Sequence, residues 1–407
     1  MNLLLLEREG FGYSLMQSHM ERLKAAFERN GVSAETLKAP SSFEKAEMVL
    51  ADALKKKRYD AAIGIEDEIF KSAKTEDRFV FDEFHVPLFN WELDHPFERY
   101  MDYRDHPAGY HVFCVDKNHC DLVQEIYPAV QSASFIPLPG FESDTGKEGT
   151  EEEYADREMD VILTASCFGT GRSDEDIGKY LDGVPEGTQL FIRLWSKLIL
   201  ENRNLPAEAV LKALLESGEF SIGTDYPAFA SSLGEFGRLV VMHTRSRVRE
   251  ELVRHLMKTD IRIDLFGDGW DDLIKDSDNP NLTLHRSISH SETGMLYQNG
   301  KILLNTMPWF KNGCHDRICT GLLNHIAVLT DTSRYLEEVY DFSPDKRELW
   351  KYDISHTEET ADFIREMLKI PDELFLSAQR GNEKTRHWLS WDMAAETMIK
   401  IIESINR

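Results

Sequence analysis

The sequence predicts an α/β protein: two facing Rossmann-like domains with a helical insertion in the second. Three observations carry that expectation. Short apolar runs alternate with stretches of helical spacing through most of the 407 residues, and such alternation builds parallel sheets with helices on both faces. Residues 142–158 are rich in Glu, Asp, Gly, Ser and Thr without hydrophobic period, and they split the alternation in two. The length itself exceeds what one ordinary core fills.

The first half, 1–141, opens with the apolar run 2–6, a strand. Residues 14–29 place Leu15, Met16, Met20, Leu23 and Phe27 on one helix face. A weak strand at 34–38 and a helix at 43–57 follow, then strands at 59–65, 86–91, 111–115 and 133–136. The Pro-Leu-Pro-Gly turn at 137–140 closes the unit, and 142–158 is the expected linker. The second domain, 159–385, starts with a strand at 160–164, then makes a mainly helical excursion over 174–233. Strands are expected again at 239–242, 261–266, 282–285, 301–305, 327–330 and 349–352, with a helix at 245–258. The tail, 386–407, ends in a helix over 394–405.

A hydrophobic content of 42% with 10% aromatics is that of a folded globular protein. A formal net charge of -25 argues against a nucleic-acid partner and against adsorption to anionic membranes through a basic helix. An anionic ligand therefore needs a locally positive site, for which Arg317, His315 and Arg245 are candidates. The five cysteines (Cys114, Cys120, Cys167, Cys314, Cys319) form no C-x-x-C pair. Free thiols suit a reducing cytoplasm better than a disulfide framework or zinc site. The apolar start, 1–6, runs straight into charged residues, too short for a signal peptide, and no apolar run reaches membrane-spanning length. The expectation is a soluble, cytoplasmic protein.

Residues 301–336 say most about chemistry. An apolar run at 302–304 ends in Asn305, and a polar loop passes through Asn312-Gly313. His315-Asp316-Arg317 then stands at the start of a short helix, and a second apolar run, 326–329, ends in Thr330-Asp331. This βαβ pattern places the cluster beyond the carboxyl ends of the strands, where ligands of such sheets bind. At a helix N-terminus, free N–H groups and the helix dipole stabilise an anion. Arg317 offers a planar fork of donors to a diphosphate and His315 adds another. The competing reading is an ordinary helix start, with Asp316 complementing the dipole and Arg317 solvated.

Other candidates are weaker alone. Gly267-Asp268-Gly269-Trp270 follows a strand and lets backbone approach a ligand, although Trp270 is by residue type more often core. Ser289-His290 reads equally well as a capping loop. Gly169-Thr170-Gly171-Arg172 lacks the lysine of a P-loop, which disfavours an ATPase. In the first half, Glu7, Glu9 and Gly10-Phe11-Gly12 follow strand one, and Asp94 and His95 follow another strand on the same side. Asp94, His95 and Glu9 are candidate general bases; the plainer reading makes Asp94 a cap ahead of Pro96 and His95 a surface residue. No D-x-D motif stands where a metal-dependent transferase would want one.

The G-x-H-D-R element, the small-residue helix after it and the L-T-D-x-S-x-Y-L ending resemble the nucleotide-binding half of spore-maturation CgeB-like glycosyltransferases. Leu265–Trp270 extends the resemblance backward, and Phe89–Phe97 is similar to that group's D-x-P-F segment. The resemblance implies the GT-B arrangement, a nucleoside-diphosphate-sugar donor such as a UDP-sugar, a protein or glycan acceptor, bacterial glycan biosynthesis, no cofactor and no essential metal. It also implies a C-terminal helix packing back on the first domain, and donor contacts from His315, Asp316, Arg317, Gly267, Gly269, Trp270, Asn305 and Arg245. Ser289 and His290 would face the base. Thr320 stands where related enzymes commonly carry a glutamate for the ribose hydroxyls. A hydroxyl there supplies hydrogen bonds but no charge. The rival expectations are a catalytically silent nucleotide- or glycan-binding scaffold and a sugar-nucleotide epimerase.

Overall fold

The strands are short and the central ones mostly apolar, as in sheets buried on both faces. In a computed structural model that describes residues 1–8, 15–39, 43–143, 149–167, 174–275 and 279–406, these strands form two six-stranded parallel sheets. The first contains β1 (Asn2–Arg8), β2 (Ser33–Ala39), β3 (Ala61–Ile65), β6 (Leu88–Glu92), β7 (Tyr110–Cys114) and β8 (Ser132–Phe135), in the order β2-β1-β3-β6-β7-β8. A small hairpin of β4 (Lys74–Thr75) and β5 (Arg78–Phe79) lies outside it. The second sheet is built from β9 (Met159–Thr164), β10 (Ile263–Phe266), β11 (Leu282–His285), β12 (Gly300–Asn305), β13 (Ala327–Thr330) and β14 (Trp350–Lys351), ordered β11-β10-β9-β12-β13-β14. The chain reverses its direction of growth between β9 and β12, which opens a crevice at the carboxyl ends of those strands.

Leu239, Val240 and Val241 are not a strand. They lie inside the 22-residue helix Glu235–Leu256, buried on most sides. A short apolar run in a buried helix cannot be told from a strand by periodicity alone. The helices Glu186–Glu201, Ala207–Glu216 and Tyr226–Ser232 share a hydrophobic core with the first sheet. Trp195, for example, meets Phe97 edge-on at 5.5 Å. Within the acidic stretch, Thr150 and Glu153 form a capping box that starts the helix Glu151–Ala155. Its Tyr154 is buried, with the hydroxyl donating to the Lys301 carbonyl and accepting from Ala327 N–H. The C-terminal helix Trp391–Ile405 lies against Leu15–Arg29, with Arg29 bonded to Asp392 at 2.8 Å.

Two close contacts lock the sheets together. Val115–Lys117 meets 312–314 antiparallel: Lys117 N–H donates to the Asn312 carbonyl (3.1 Å), and Asp116 accepts from Asn312 N–H (2.7 Å). A Cβ on Gly313 would fall 2.2 Å from the Val115 carbonyl oxygen. At the second contact, Gly140 sits on the helix Asp316–Leu323, where a Cβ would fall 2.3 Å from Thr320 N. Asn324 donates to the Phe141 carbonyl (2.8 Å) and Trp391 to that of Gly140 (2.9 Å). Gly140→Ala is expected to destabilise the protein by about 1–3 kcal/mol through overpacking. Urea unfolding checks this: the midpoint falls with little change in slope, and an unmoved midpoint would show that this contact yields.

Candidate active site

A cavity of about 240 Å³ occupies the crevice, bounded by the ends of β9 and β10, the helix His290–Tyr297 and the start of Asp316–Leu323. A second, of about 180 Å³, shares Leu15, His315 and Asp316 with it and reaches the first domain at Glu66 and Asp94. His315 and Asp316 thus form the partition between the two.

His315 is the N-cap residue of its helix. Its Nδ1 lies 3.2 Å from Arg317 N and 2.6 Å from Asp316 Oδ1. One ring nitrogen cannot accept from the amide and donate to the carboxylate at once. A separation of 2.6 Å from a carboxylate oxygen requires an intervening proton, so we assign Nδ1–H as donor to Asp316, leaving Nε2 without a hydrogen-bond partner among the described residues. Burial, followed by the Arg317 charge, lowers the His315 pKa, while Asp316 works against both. The Asp316 carboxyl is held well below its usual range: burial opposes ionisation, but the His315 charge and hydrogen bond outweigh it.

Arg317 donates to Asn305 Oδ1 at 2.6 Å, and Asn305 donates in turn to Thr330 Oγ1 at 2.9 Å, which fixes the guanidinium. Arg249 donates to Thr306 Oγ1 (3.2 Å) and to the Ser166 carbonyl (2.9 Å). Burial, then the charges of Arg245 and Arg317, push its pKa well below the ordinary value. Among the described residues neither Arg249 nor Arg317 forms an ion pair. Arg245 lies over the Trp309 ring, 3.9 Å from its centroid, and pairs loosely with Glu98 at 3.7 Å. Thr320 Oγ1, on the first cavity's wall, is buried and has no partner among the described residues. A concentration of desolvated positive charge in a chain of net charge -25 is what an anion would complete.

Of the residues singled out from sequence, His315, Asp316, Arg317, Thr320, Gly267 and His290 line the first cavity, and Asp94 and Arg245 the second. Asn305 stands behind Arg317. The others are placed elsewhere. Trp270 is a core residue whose indole donates to the Ala165 carbonyl at 2.7 Å. Gly269 takes a left-handed conformation (φ 84°) and lines neither cavity, and Ser289 caps its helix with Glu292. His95 is completely buried, with Nε2 3.3 Å from Glu208 and Nδ1 accepting from Phe97 N–H; burial brings its pKa down to about 3. It faces the helical insertion, not the cavities. Glu7 pairs with Lys38 at 3.3 Å. Glu9, the 10–12 loop and Gly169–Arg172 lie outside the described residues. Sequence reasoning missed Arg249, four residues after Arg245 and so on the same helix face. It also missed Glu66, which follows β3 as Asp94 follows β6.

His19 is buried against His290, the ring centroids 4.9 Å apart, and neither His19 nitrogen has a partner among the described residues. Burial, then His290, brings the His19 pKa down to about 3 from 6.5. Between these values the unfolded chain binds the proton and the folded one does not, so this group's contribution to stability is full above pH 6.5 and is lost as pH falls. Relative to wild type, His19→Gln is expected to gain up to about 1.4 kcal/mol per pH unit as pH falls from 6.5 toward 4. Denaturant melts of both proteins at several pH values check this, and parallel stability curves would refute it.

Residues 245–400 match a family model described as glycosyl transferase-like. No curated protein matches the chain. Among solved structures, Anabaena Alr3699/HepE in complex with UDP and glucose is similar over 99% of this chain and 100% of its own, at 10% identity and a TM-score of 0.53. Sucrose-phosphate synthase from Thermosynechococcus elongatus matches over 99% and 98% of the chains at 9% identity, TM-score 0.54. A glycosyltransferase from Rickettsia africae matches over 99% and 98% at 10% identity, TM-score 0.52. The architecture is that of the GT-B glycosyltransferases: two Rossmann-like domains with a cleft between them. Residues 245–400 of this chain carry a glycosyl transferase-like sequence.

Proposed function

We propose that the protein is a CgeB-like glycosyltransferase that moves a sugar from a nucleoside-diphosphate donor to a hydroxyl-bearing acceptor without a resident metal. The observation that carries this reading is the group of Arg317, Arg249 and His315 at a helix N-terminus beside the crevice of the second sheet. In such a site the arginines and the helix N–H groups hold the diphosphate and stabilise the charge that grows on it as the glycosidic bond breaks. The nucleoside occupies the first cavity, with Thr320 toward the ribose. The acceptor enters the second cavity, where the first-domain carboxylates face the reacting carbon. UDP is the first nucleotide to try, because HepE was solved with it. A thermal-shift panel of UDP-, GDP-, dTDP- and CMP-sugars tests the reading, since ligands that bind the folded state raise its melting temperature with occupancy.

Two substitutions sharpen the test. Arg317→Ala is expected to weaken binding of the stabilising nucleotide by about 1.5–3 kcal/mol, the scale of a charge-assisted hydrogen bond. Unchanged affinity by calorimetry would return Arg317 to an ordinary structural position. Thr320→Val should act with opposite signs on the two states. It removes a buried hydroxyl that has no partner among the described residues, so the ligand-free protein gains stability, while nucleotide affinity falls by about 1 kcal/mol. Equal affinity for wild type and Thr320→Val would take the ribose away from this position.

A further inference from the structure

We propose that Glu66, not Asp94, takes the proton from the acceptor hydroxyl, an assignment that rests on the transferase reading above. Two carboxylates from the first domain line the second cavity, Glu66 after β3 and Asp94 after β6. They are held very differently. The backbone of Glu66 is left-handed (φ 48°), a conformation that non-glycine residues seldom hold and that clusters at functional sites. Its N–H donates to the Trp91 carbonyl (3.1 Å), and its Oε1 accepts from Leu93 N–H (3.3 Å), so backbone and carboxylate are each held by one hydrogen bond. The residue is 7% exposed. Among the described residues it forms no ion pair, because Arg99 is already bonded to Glu92 (3.0 Å), Glu68 (3.0 Å) and Asp102 (2.7 Å). Asp94 is only half-buried, and among the described residues no hydrogen bond orients it.

The groups acting on Glu66 are Asp94, Glu92, Glu98 and Arg99 from its own domain, with Arg245, Arg249, His315 and Asp316 lining the same cavity. Burial first, and the Asp94 charge second, push its carboxyl well above the usual value. A carboxylate so displaced is a stronger base once ionised. Asp94 therefore tunes Glu66. In the transfer step the acceptor O–H bond breaks and its proton passes to Glu66. The freed oxygen pair forms the bond to the anomeric carbon, and the bond from that carbon to the diphosphate breaks with its electrons leaving on the diphosphate. The proton then departs from Glu66 to water.

The experiment follows UDP release from UDP-glucose, or nucleotide release from whichever sugar nucleotide the wild type turns over, with water as the default acceptor. UDP binding is measured alongside on the full chain. Glu66→Gln is expected to slow release by about a hundredfold or more, the scale of general-base catalysis, with UDP affinity unchanged. Asp94→Asn should slow it less and move the acid limb of the pH–rate profile to lower pH, because the charge that raises Glu66 is gone. Glu66→Gly suits the left-handed backbone and serves as the fold control: the melting temperature holds while turnover is lost. Undiminished release by Glu66→Gln overturns the assignment and leaves the transferase intact, as does loss of release in Asp94→Asn alone. A wild type that binds no nucleoside diphosphate and turns over no sugar nucleotide overturns both.

Discussion

Where the peptide groups of Val115–Lys117 run against those of 312–314, two domains come so close that position 313 has no room for a side chain. The same loop continues directly into His315 and the helix that carries Arg317. Four residues into that helix, Thr320 supports Gly140, the end of the first domain's last turn. One segment therefore sets the spacing between the sheets and aims the residues at the crevice. Relative movement of the domains here must be carried through that segment, so the opening of the cleft and the orientation of its cationic wall are mechanically joined.

The two walls of the cleft carry opposite charge. Arg245, Arg249 and Arg317 belong to the second domain's side, and Glu66, Asp94 and Glu98 to the first. Among the described residues, only Arg245 and Glu98 pair across the cleft, at 3.7 Å. Burying an arginine without a carboxylate partner is costly, and the backbone carbonyl of Ser166 and the Thr306 hydroxyl offset only part of that for Arg249. Under the transferase reading, a diphosphate supplies the missing countercharge where the leaving group needs it. The acidic wall remains opposite, next to the acceptor.

Much of the fold was legible because a parallel sheet leaves an unmistakable trace of short apolar strands separated by helical spacing. The strand expected at 239–242 failed for the same reason that trace is imperfect: a helix buried on most sides is as apolar as a strand. The cationic helix start beside the crevice was legible because helix-start chemistry is local, and Gly313, His315 and Arg317 are neighbours in sequence. The acidic wall opposite was not. Asp94 and His95 are adjacent, yet one faces the cavity and the other is drawn under the helical insertion by Glu208. Nothing local shows that the helix Ala207–Glu216 will cover that side. Glu66 was hidden because a left-handed glutamate has no sequence signature, unlike a left-handed glycine.

Asp316 looks out of place, a carboxylate at the first position of a helix offered to an anion. Its hydrogen bond resolves the difficulty. Spent on the Nδ1 proton of His315, the carboxylate is kept ionised, while burial keeps the two histidines behind it, His19 and His290, neutral, with pKa values brought down to about 3 and about 4. The imidazole is thereby fixed in one tautomer and one orientation, with no hydrogen-bond partner for Nε2 among the described residues. Without that carboxylate, His315 would be free to accept from Arg317 N–H through the same nitrogen, withdrawing an amide that an incoming anion needs. Under the transferase reading, the acidic residue thus leaves the helix N–H groups available to the diphosphate, while relieving part of the positive charge that three arginines accumulate there.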